Sequence, residues 1–380
     1  MNVLMISLDR KAFEEGNPAR MRIAEYGAIF NELHIIVYAK KSLGLSRAKI
    51  ADNVWLYPTN SQTRFGYIRD AIRIAQELAK ETTFAVVSSQ DPSETGIAGY
   101  RVSRILAIPF HTQDHADVFD RAYVQESIGN YVRSLIARRL LPKADGIRTV
   151  SERSQKHLLA RLPQLSSKLF LLPVYTEIDS LRERAPSFAL RDRYPQFGFT
   201  LLAVGRFVPQ KNLDRAVRVT AALIKKYPTA GLILVGEGPL EQTLKERAHA
   251  LGIGAHVVFV PWQQDLVSYY KTANLFLMTS EYESYGRTLI EAAACGLPFV
   301  STDVGIASML ADAGAGVVCE RKSATCFVDH AYHFLNDNRE RSLHSTKGYA
   351  AALALNGGSK QEYLARYKEM MERCLSSRLK

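Results

Sequence analysis

Long apolar runs are missing from this chain, and none approaches the eighteen or so uncharged residues that a membrane-spanning helix needs. Cysteine is scarce. The four present (Cys295, Cys319, Cys326 and Cys374) fall in the C-terminal half without CxxC or metal-ligand spacing. That pattern argues against a zinc module and suggests reduced, structural thiols in a cytoplasm. The opening residues, Met1-Asn-Val-Leu-Met-Ile-Ser-Leu-Asp-Arg10, have no basic leader or cleavage signal and read as a first strand. The third glycine of a dinucleotide fingerprint is also missing, because Gly236-Glu-Gly238 continues as Pro-Leu-Glu. A dehydrogenase is therefore disfavoured.

What remains is a protein of 380 residues with 47% hydrophobic and 23% charged residues, long enough for two ordinary domains. The net charge is +11, spread over both halves with no polybasic tail. That permits nucleic acid, anionic lipid or a phosphorylated substrate as partner and does not choose among them.

Strand-like runs alternate with amphipathic helical stretches throughout. In the first half the strands are expected at 3–7, 34–39, 54–58, 84–90, 108–113, 146–151 and 169–174. In the second half they are expected at 200–205, 231–236, 257–261, 275–280, 298–302 and 316–319. Such alternation specifies parallel sheets with crossover helices, an α/β fold. The polar, proline-containing stretch 177–197 breaks the rhythm and reads as a linker. The expected organisation is a Rossmann-like domain at 1–176, the linker, a second Rossmann-like domain at 198–358, and a final helix within 359–380 that could pack back on the first domain.

Chemistry concentrates in the second half. The strand ending at Ser280 leads into Glu283-Ser-Tyr-Gly-Arg-Thr-Leu-Ile-Glu291, which places one acid before a helix start near Gly286 or Arg287 and another just over a turn inside it. Eight positions at about 100° leave the two acids some 80° apart, so they suit two parts of one elongated ligand rather than a stacked pair. The amides of Gly286 to Leu289 lie between them, placed to receive an anion. A nucleotide sugar has that layout. Upstream, Leu201-Leu-Ala-Val-Gly205-Arg206 ends a buried strand and is followed by Lys211, putting two cations on the ligand edge of the sheet. Val235-Gly-Glu-Gly-Pro239 is a further tight strand-to-helix turn.

In order and spacing, Gly205-Arg206 with Lys211, Val235–Pro239, and Ser280-Glu-Tyr-Glu-Ser-Tyr-Gly286 through Glu291-Ala-Ala-Ala-Cys-Gly-Leu-Pro298 together resemble the retaining GT-B glycosyltransferases of the family 4 type. The resemblance spans most of residues 199–305. It implies two Rossmann-like domains with parallel sheets facing a central cleft. It further implies transfer of a hexosyl group from a nucleotide-diphosphate sugar to a glycan or lipid-linked acceptor in cell-envelope or exopolysaccharide biosynthesis. In such enzymes Arg206 and Lys211 would clamp the diphosphate, Glu291 would take the ribose hydroxyls, and Glu283 would lie by the sugar as a catalytic residue. Residues Ser284, Tyr285, Gly286, Arg287 and Thr288 would contact phosphate or sugar. The resemblance implies no metal and no cofactor beyond the nucleotide sugar, the cations doing the electrostatic work.

In the first half, Ile108-Pro-Phe-His111-Thr-Gln-Asp-His115-Ala-Asp117 resembles the family's strand-end histidine, with His115 the better match and the second catalytic candidate. Gly16 resembles the first-loop glycine facing donor and acceptor, and Arg20 follows within reach of a phosphorylated acceptor. Three features depart from the pattern: the double glycine of that first loop is absent, Arg287 stands where an apolar residue is expected, and Pro261-Trp262 stands where a glycine is common near the base. The stretch 131–142, with Arg133, Arg138 and Arg139 opposite Leu135, Ile136, Leu140 and Leu141, is read as a helix docked on its own sheet. Contact with an anionic membrane is the other reading. The expected location is cytoplasmic, with peripheral association at the inner membrane face left open. A sugar-phosphate synthase or nucleotide-sugar epimerase would share the donor half. A basic nucleic-acid-binding protein is a third reading, but the sequence shows no motif for one.

Overall fold

The computed structural model describes residues 1–321 and 323–376. It divides the chain into two compact units, one formed by Met1–Leu172 together with the residues from Ser359 onward, the other by Pro173–Gly358.

The first unit is built on eight strands: β1 (Asn2–Ser7), β2 (Glu32–Val37), β3 (Ala48–Ala51), β4 (Val54–Pro58), β5 (Val86–Ser89), β6 (Phe110–Asp114), β7 (Gly146–Thr149) and β8 (Leu169–Leu171). Their order is β3-β4-β2-β1-β5-β6-β7-β8, and every pairing is parallel except that of β3 with β4. Val3, Leu4, Ile6, Ile35 and Ile36 are fully buried, as strands covered on both faces require. The sequence reading missed β3. Its residues, Ala-Lys-Ile-Ala, lack the apolar run of a central strand because it is an antiparallel edge strand with Lys49 exposed.

In the second unit six parallel strands follow the order β11-β10-β9-β12-β13-β14: β9 (Phe199–Val204), β10 (Ala230–Val235), β11 (Val257–Val260), β12 (Leu275–Met278), β13 (Phe299–Thr302) and β14 (Gly316–Cys319). Leu201, Leu232 and Leu275 pack with Val217 and Leu223 of the helix Leu213–Ile224 and with Phe327 and Phe334 of the helix Ala324–Asn336. Residues 177–197, expected as a bare linker, instead carry the short helices Ile178–Glu183 and Leu190–Arg193 and group with this unit. Leu190 is fully buried and its amide donates to Thr272 Oγ1. Two prolines and a polar composition concealed short helices held by tertiary contacts.

Cysteine usage also needs correction. Cys319 at the end of β14 and Cys326 in the following helix form a disulfide, with their Cα atoms 5.9 Å apart, while Cys295 and Cys374 are thiols outside it. A seven-residue separation across a strand-to-helix turn gave no recognised motif, yet the turn brings the two Cα atoms within bridging range.

The helix Lys360–Ser376 packs on the first unit's sheet and buries Tyr363, Tyr367, Met370, Met371 and Cys374. It covers the buried Arg148 of β7, whose guanidinium donates to the Leu172 carbonyl (3.0 Å), Gln113 Oε1 (2.9 Å) and the Tyr363 hydroxyl (2.7 Å). That cation also faces the rings of Tyr363 and Tyr367 at 6.0 and 5.5 Å. The helix Ile128–Leu140 lies on the same unit and buries Ala137 and Leu140, while Arg138 and Arg139 stay exposed.

Two outcomes are expected from these contacts. Denatured without reductant, the protein should expose two of its four thiols to a maleimide, and all four only after reduction, as read by mass spectrometry. The change Tyr363→Phe removes one acceptor from a buried guanidinium and should cost about 1–3 kcal/mol in urea unfolding followed on the first unit.

Candidate functional site

Winding in the second unit runs β9→β10→β11 in one direction and then returns to place β12, β13 and β14 on the other side of β9. The carboxyl ends of β9 and β12 therefore flank a topological switch point, where an open parallel sheet leaves a crevice for ligand. The loop after β9 carries Arg206 and Lys211, and the loop after β12 carries Glu283 and the helix Arg287–Ala294. Strand order alone thus brings together motifs some 70 residues apart.

Several bonds bind the two loops. Thr279 Oγ1 donates to the Lys211 carbonyl (2.9 Å), the Glu281 amide to the Gln210 carbonyl (2.8 Å), and Gln210 Nε2 to the Tyr282 carbonyl (3.0 Å). Asn212 holds a left-handed backbone at φ 42°, an uncommon state for a residue other than glycine. Its side-chain amide and Arg215 Nη2 both donate to Glu281 Oε1, at 2.5 and 3.1 Å. Asn212, Arg215 and Glu281 were not identified from the sequence. The only available signal was the asparagine next to Lys211, a residue type that tolerates φ > 0.

This framework sets Lys211 against Glu283. The ammonium and Glu283 Oε1 form an ion pair with side chains only 17% and 12% exposed, and Ser280 Oγ donates to the same oxygen at 2.8 Å. Arg206, expected beside Lys211 as a clamp, is exposed and makes no ion pair or side-chain hydrogen bond among the described residues. The turn after β10 closes on the same loop. A Cβ at Gly236, where φ is +145°, would meet the Gly205 carbonyl oxygen at 2.0 Å. Close approach of two backbones, not dinucleotide binding, accounts for that glycine.

Gly286 is left-handed at φ +94° and precedes the helix Arg287–Ala294, as the sequence spacing implied. The Leu289 amide is not free, since it bonds to the Gly286 carbonyl at 2.9 Å; the amides of Arg287 and Thr288 go to no backbone carbonyl among the described residues. Tyr285 is buried and its carbonyl accepts from Ile306, while Ser284 and Thr288 are half-buried. Exposed Arg287 pairs with Glu291 one turn on at 3.2 Å. The Tyr270 hydroxyl, also unforeseen, donates to the other Glu291 oxygen at 3.1 Å. Burial pushes the Glu291 carboxyl above its ordinary range, against the opposing pull of Arg287 and Tyr270. A carboxylate kept in a desolvated place at a cost in stability is a functional-site signature.

The remaining sequence candidates lie in the first unit. His115 follows β6 directly and its Nε2 sits 3.0 Å from Gln113 Oε1. Burial, with the charges of Arg148 and Arg22 adding, pushes its pKa down to about 3, so the ring is neutral at physiological pH. Its neighbour Asp114 is buried and pushed up to about 7 by burial and by Asp117. Gly16 is left-handed at φ +72° in the turn before the helix Pro18–Gly27, and Arg20 donates to the Phe13 carbonyl at 3.4 Å. That turn belongs to the loop after β1, which with β5 flanks this sheet's own switch point, where Gln90 Oε1 accepts from Ser7 Oγ and the Leu8 amide. Two triads bring three donor atoms within 4.8 Å of one another, Asp117–Asp120–His157 and His333–Asp337–Glu340. In each the histidine already pairs with a carboxylate, Asp117 or Glu340, which accounts for the grouping without a metal.

Residues 195–351 match the family described as glycosyl transferases group 1. Among curated relatives, an uncharacterized glycosyltransferase of Haemophilus influenzae is 34% identical over 126 residues, covering 33% of this chain and 36% of that protein. The lipopolysaccharide core biosynthesis mannosyltransferase LpsB of Rhizobium meliloti is 32% identical over 154 residues, covering 38% and 44%. The aligned part thus spans well under half of either relative. Among solved structures, Anabaena HepE in complex with UDP-glucose superposes with a TM-score of 0.75 over 99% of this chain and 100% of that one, at 17% identity. Sucrose-phosphate synthase from Thermosynechococcus elongatus gives 0.80 over 96% and 97%, also at 17%. At that identity the likeness shows the fold, which is GT-B. The matched domain and the fold together support a glycosyltransferase.

Because the folded-state pKa of Glu291 lies above its unfolded value, the native state holds its proton more tightly, and the residue lowers stability increasingly as pH rises through that window. Glu291→Gln should therefore melt at or near the wild-type temperature at about pH 4 and about 2 °C or more above it at about pH 7. Thermal melts across that range check the sign.

Proposed function

We propose that this chain is a retaining hexosyltransferase that moves a sugar from a nucleotide-diphosphate donor to a glycan or lipid-linked acceptor, in cell-envelope or exopolysaccharide biosynthesis. The observation that carries the reading is the Lys211–Glu283 ion pair at the β9/β12 switch point, flanked by exposed Arg206 and by the helix start at Gly286.

The chemistry follows from those groups. A diphosphate entering the crevice meets Arg206, Lys211 and the amides of Arg287 and Thr288, which together offer the charge and donors that a dianionic leaving group requires. Lys211 turns from Glu283 toward phosphate, and the released carboxylate accepts from sugar hydroxyls and faces positive charge as it grows at the anomeric carbon. Glu291, held by Tyr270 and Arg287, accepts from the ribose. The bond from anomeric carbon to diphosphate breaks with its electron pair leaving on phosphate, the acceptor hydroxyl oxygen forms the new bond, and its proton passes to an oxygen of the departing diphosphate. Two cations at the phosphates support a reaction without a metal. Neutral His115 acts as hydrogen-bond donor or acceptor rather than as a charge, by the sugar or the acceptor. Retention rests on the family 4 resemblance of the Glu283–Glu291 segment. HepE in complex with UDP-glucose, as a fold neighbour, supports a nucleotide sugar as partner. The cytoplasm, where such donors are made, is the fitting location.

A sugar-phosphate acceptor is the second reading, since sucrose-phosphate synthase is among the proteins that share this fold. Product mass separates the two.

Lys211→Ala and Glu283→Gln should each lower sugar transfer by roughly a hundredfold or more, measured with a panel of UDP-, GDP- and ADP-sugars and pooled acceptors. Lys211→Ala should also weaken the thermal shift induced by the cognate nucleoside diphosphate, whereas Glu283→Gln should leave it nearly intact. Full transfer in both variants would overturn the reading.

A further inference from the structure

His115 ends a row of polar contacts that begins at the C-terminal helix. β6 and β7 are neighbours, and Gln113 stands opposite Arg148 in their register. Arg148 Nη2 donates to the Tyr363 hydroxyl at 2.7 Å, Nη1 to Gln113 Oε1 at 2.9 Å and Nε to the Leu172 carbonyl at 3.0 Å. Gln113 Oε1 in turn lies 3.0 Å from His115 Nε2. All of these residues belong to the first unit.

Donor and acceptor roles along the row follow by elimination. A guanidinium carries N–H groups only, so the Gln113 atom that faces it is the amide oxygen. Turning the amide over would set two N–H groups against each other. That oxygen can only accept, and His115 Nε2 therefore carries a hydrogen. The groups that face the ring are Arg148 of β7, Arg22 of the helix Pro18–Gly27 and His111 of β6, and all three reinforce burial in pushing its pKa down to about 3. No second proton is held at neutral pH, and Nδ1 keeps its lone pair. The two ring nitrogens point to opposite sides. With Nε2 turned toward buried Gln113, Nδ1 of the half-buried ring is aimed away from it, at the carboxyl edge of the sheet.

We propose that Gln113 is a positioning residue for the transfer reaction: oriented by Arg148, it fixes His115 as the Nε2–H tautomer, so that Nδ1 accepts a hydrogen bond from a substrate hydroxyl. The role rests on the hexosyltransferase reading given above. A ring so hard to protonate accepts that bond without taking the proton, which leaves the departing diphosphate as the proton's destination. Arg148 thus serves two ends, holding the helix Lys360–Ser376 through Tyr363 and setting the tautomer through Gln113.

Nitrogen-15 labelling of the histidines in the full chain reads the tautomer by NMR without any substrate, with His115→Asn identifying the signal. The Nε2–H form is expected from about pH 5 to about pH 8. Gln113→Leu should replace it by a mixture of tautomers and lower kcat for sugar transfer about tenfold, the worth of one hydrogen bond. The substrate whose KM rises with it, donor or acceptor, carries the hydroxyl. Gln113→Glu, of the same size, should raise the ring's pKa and give the transfer rate an acid limb below about pH 6.5 that the wild type lacks. Should Gln113→Leu fail to fold, Gln113→Glu decides alone. Tyr363→Phe weakens the fold without touching Gln113, and should leave the tautomer and the pH profile unchanged. An Nδ1–H ring in the wild type overturns the proposal, as do wild-type tautomer and rate in Gln113→Leu or a Gln113→Glu profile with no new limb. A wild type that transfers no sugar from any donor would instead overturn the hexosyltransferase reading, and with it the role given to Nδ1, while the tautomer stays decided by its own spectrum.

Discussion

Reversal of winding in a parallel sheet is the constraint on which the site depends. Crossovers on either side of β9 carry the following helices away from each other, and the loops at the carboxyl ends of β9 and β12 are left facing one gap. No other pair of loops in that sheet has this relation. Lys211 and Glu283, 72 residues apart, meet there because β9 and β12 are neighbours, and the bracket of Asn212, Glu281 and Arg215 ties the two loops together beside them. The glycine at 236 serves the same end by letting the β10 turn press on the β9 loop.

Electrostatics in the gap is poised rather than neutral. Lys211 and Glu283 satisfy each other in a mostly dehydrated place, while Arg206 has no such partner among the described residues and stays exposed. An arriving dianion can therefore compete for the lysine with the help of a second cation and of helix-start amides, and the carboxylate it displaces is left where a sugar would lie. Glu291 works differently. Burial makes its charge costly, and Tyr270 with Arg287 offsets only part of that cost. The two acids are distinguished by surroundings, not by type.

The first unit repeats the same topological logic with different contents. Its switch point carries Gly16 and Gln90, and its β6 end carries His115 and a buried Asp114. It also holds the C-terminal helix, through a guanidinium that faces two tyrosine rings.

Much was legible in the sequence alone. Apolar runs of four to six residues separated by amphipathic stretches specify buried parallel strands, since only strands covered on both faces tolerate such runs, and spacing located the helix start at Gly286. Arg206, Lys211 and Glu283 could be placed on the ligand edge because they follow buried strands, and Glu291 inside the next helix by its spacing, while their roles rest on the family resemblance. Tertiary structure alone decided the rest. It paired Lys211 with Glu283, assigned Tyr270 and Arg287 to Glu291, joined Cys319 to Cys326, and put helices where 177–197 read as a linker. Each of these depends on which strands are neighbours and which loops share an edge, and residue spacing carries no record of that until the sheet order is known.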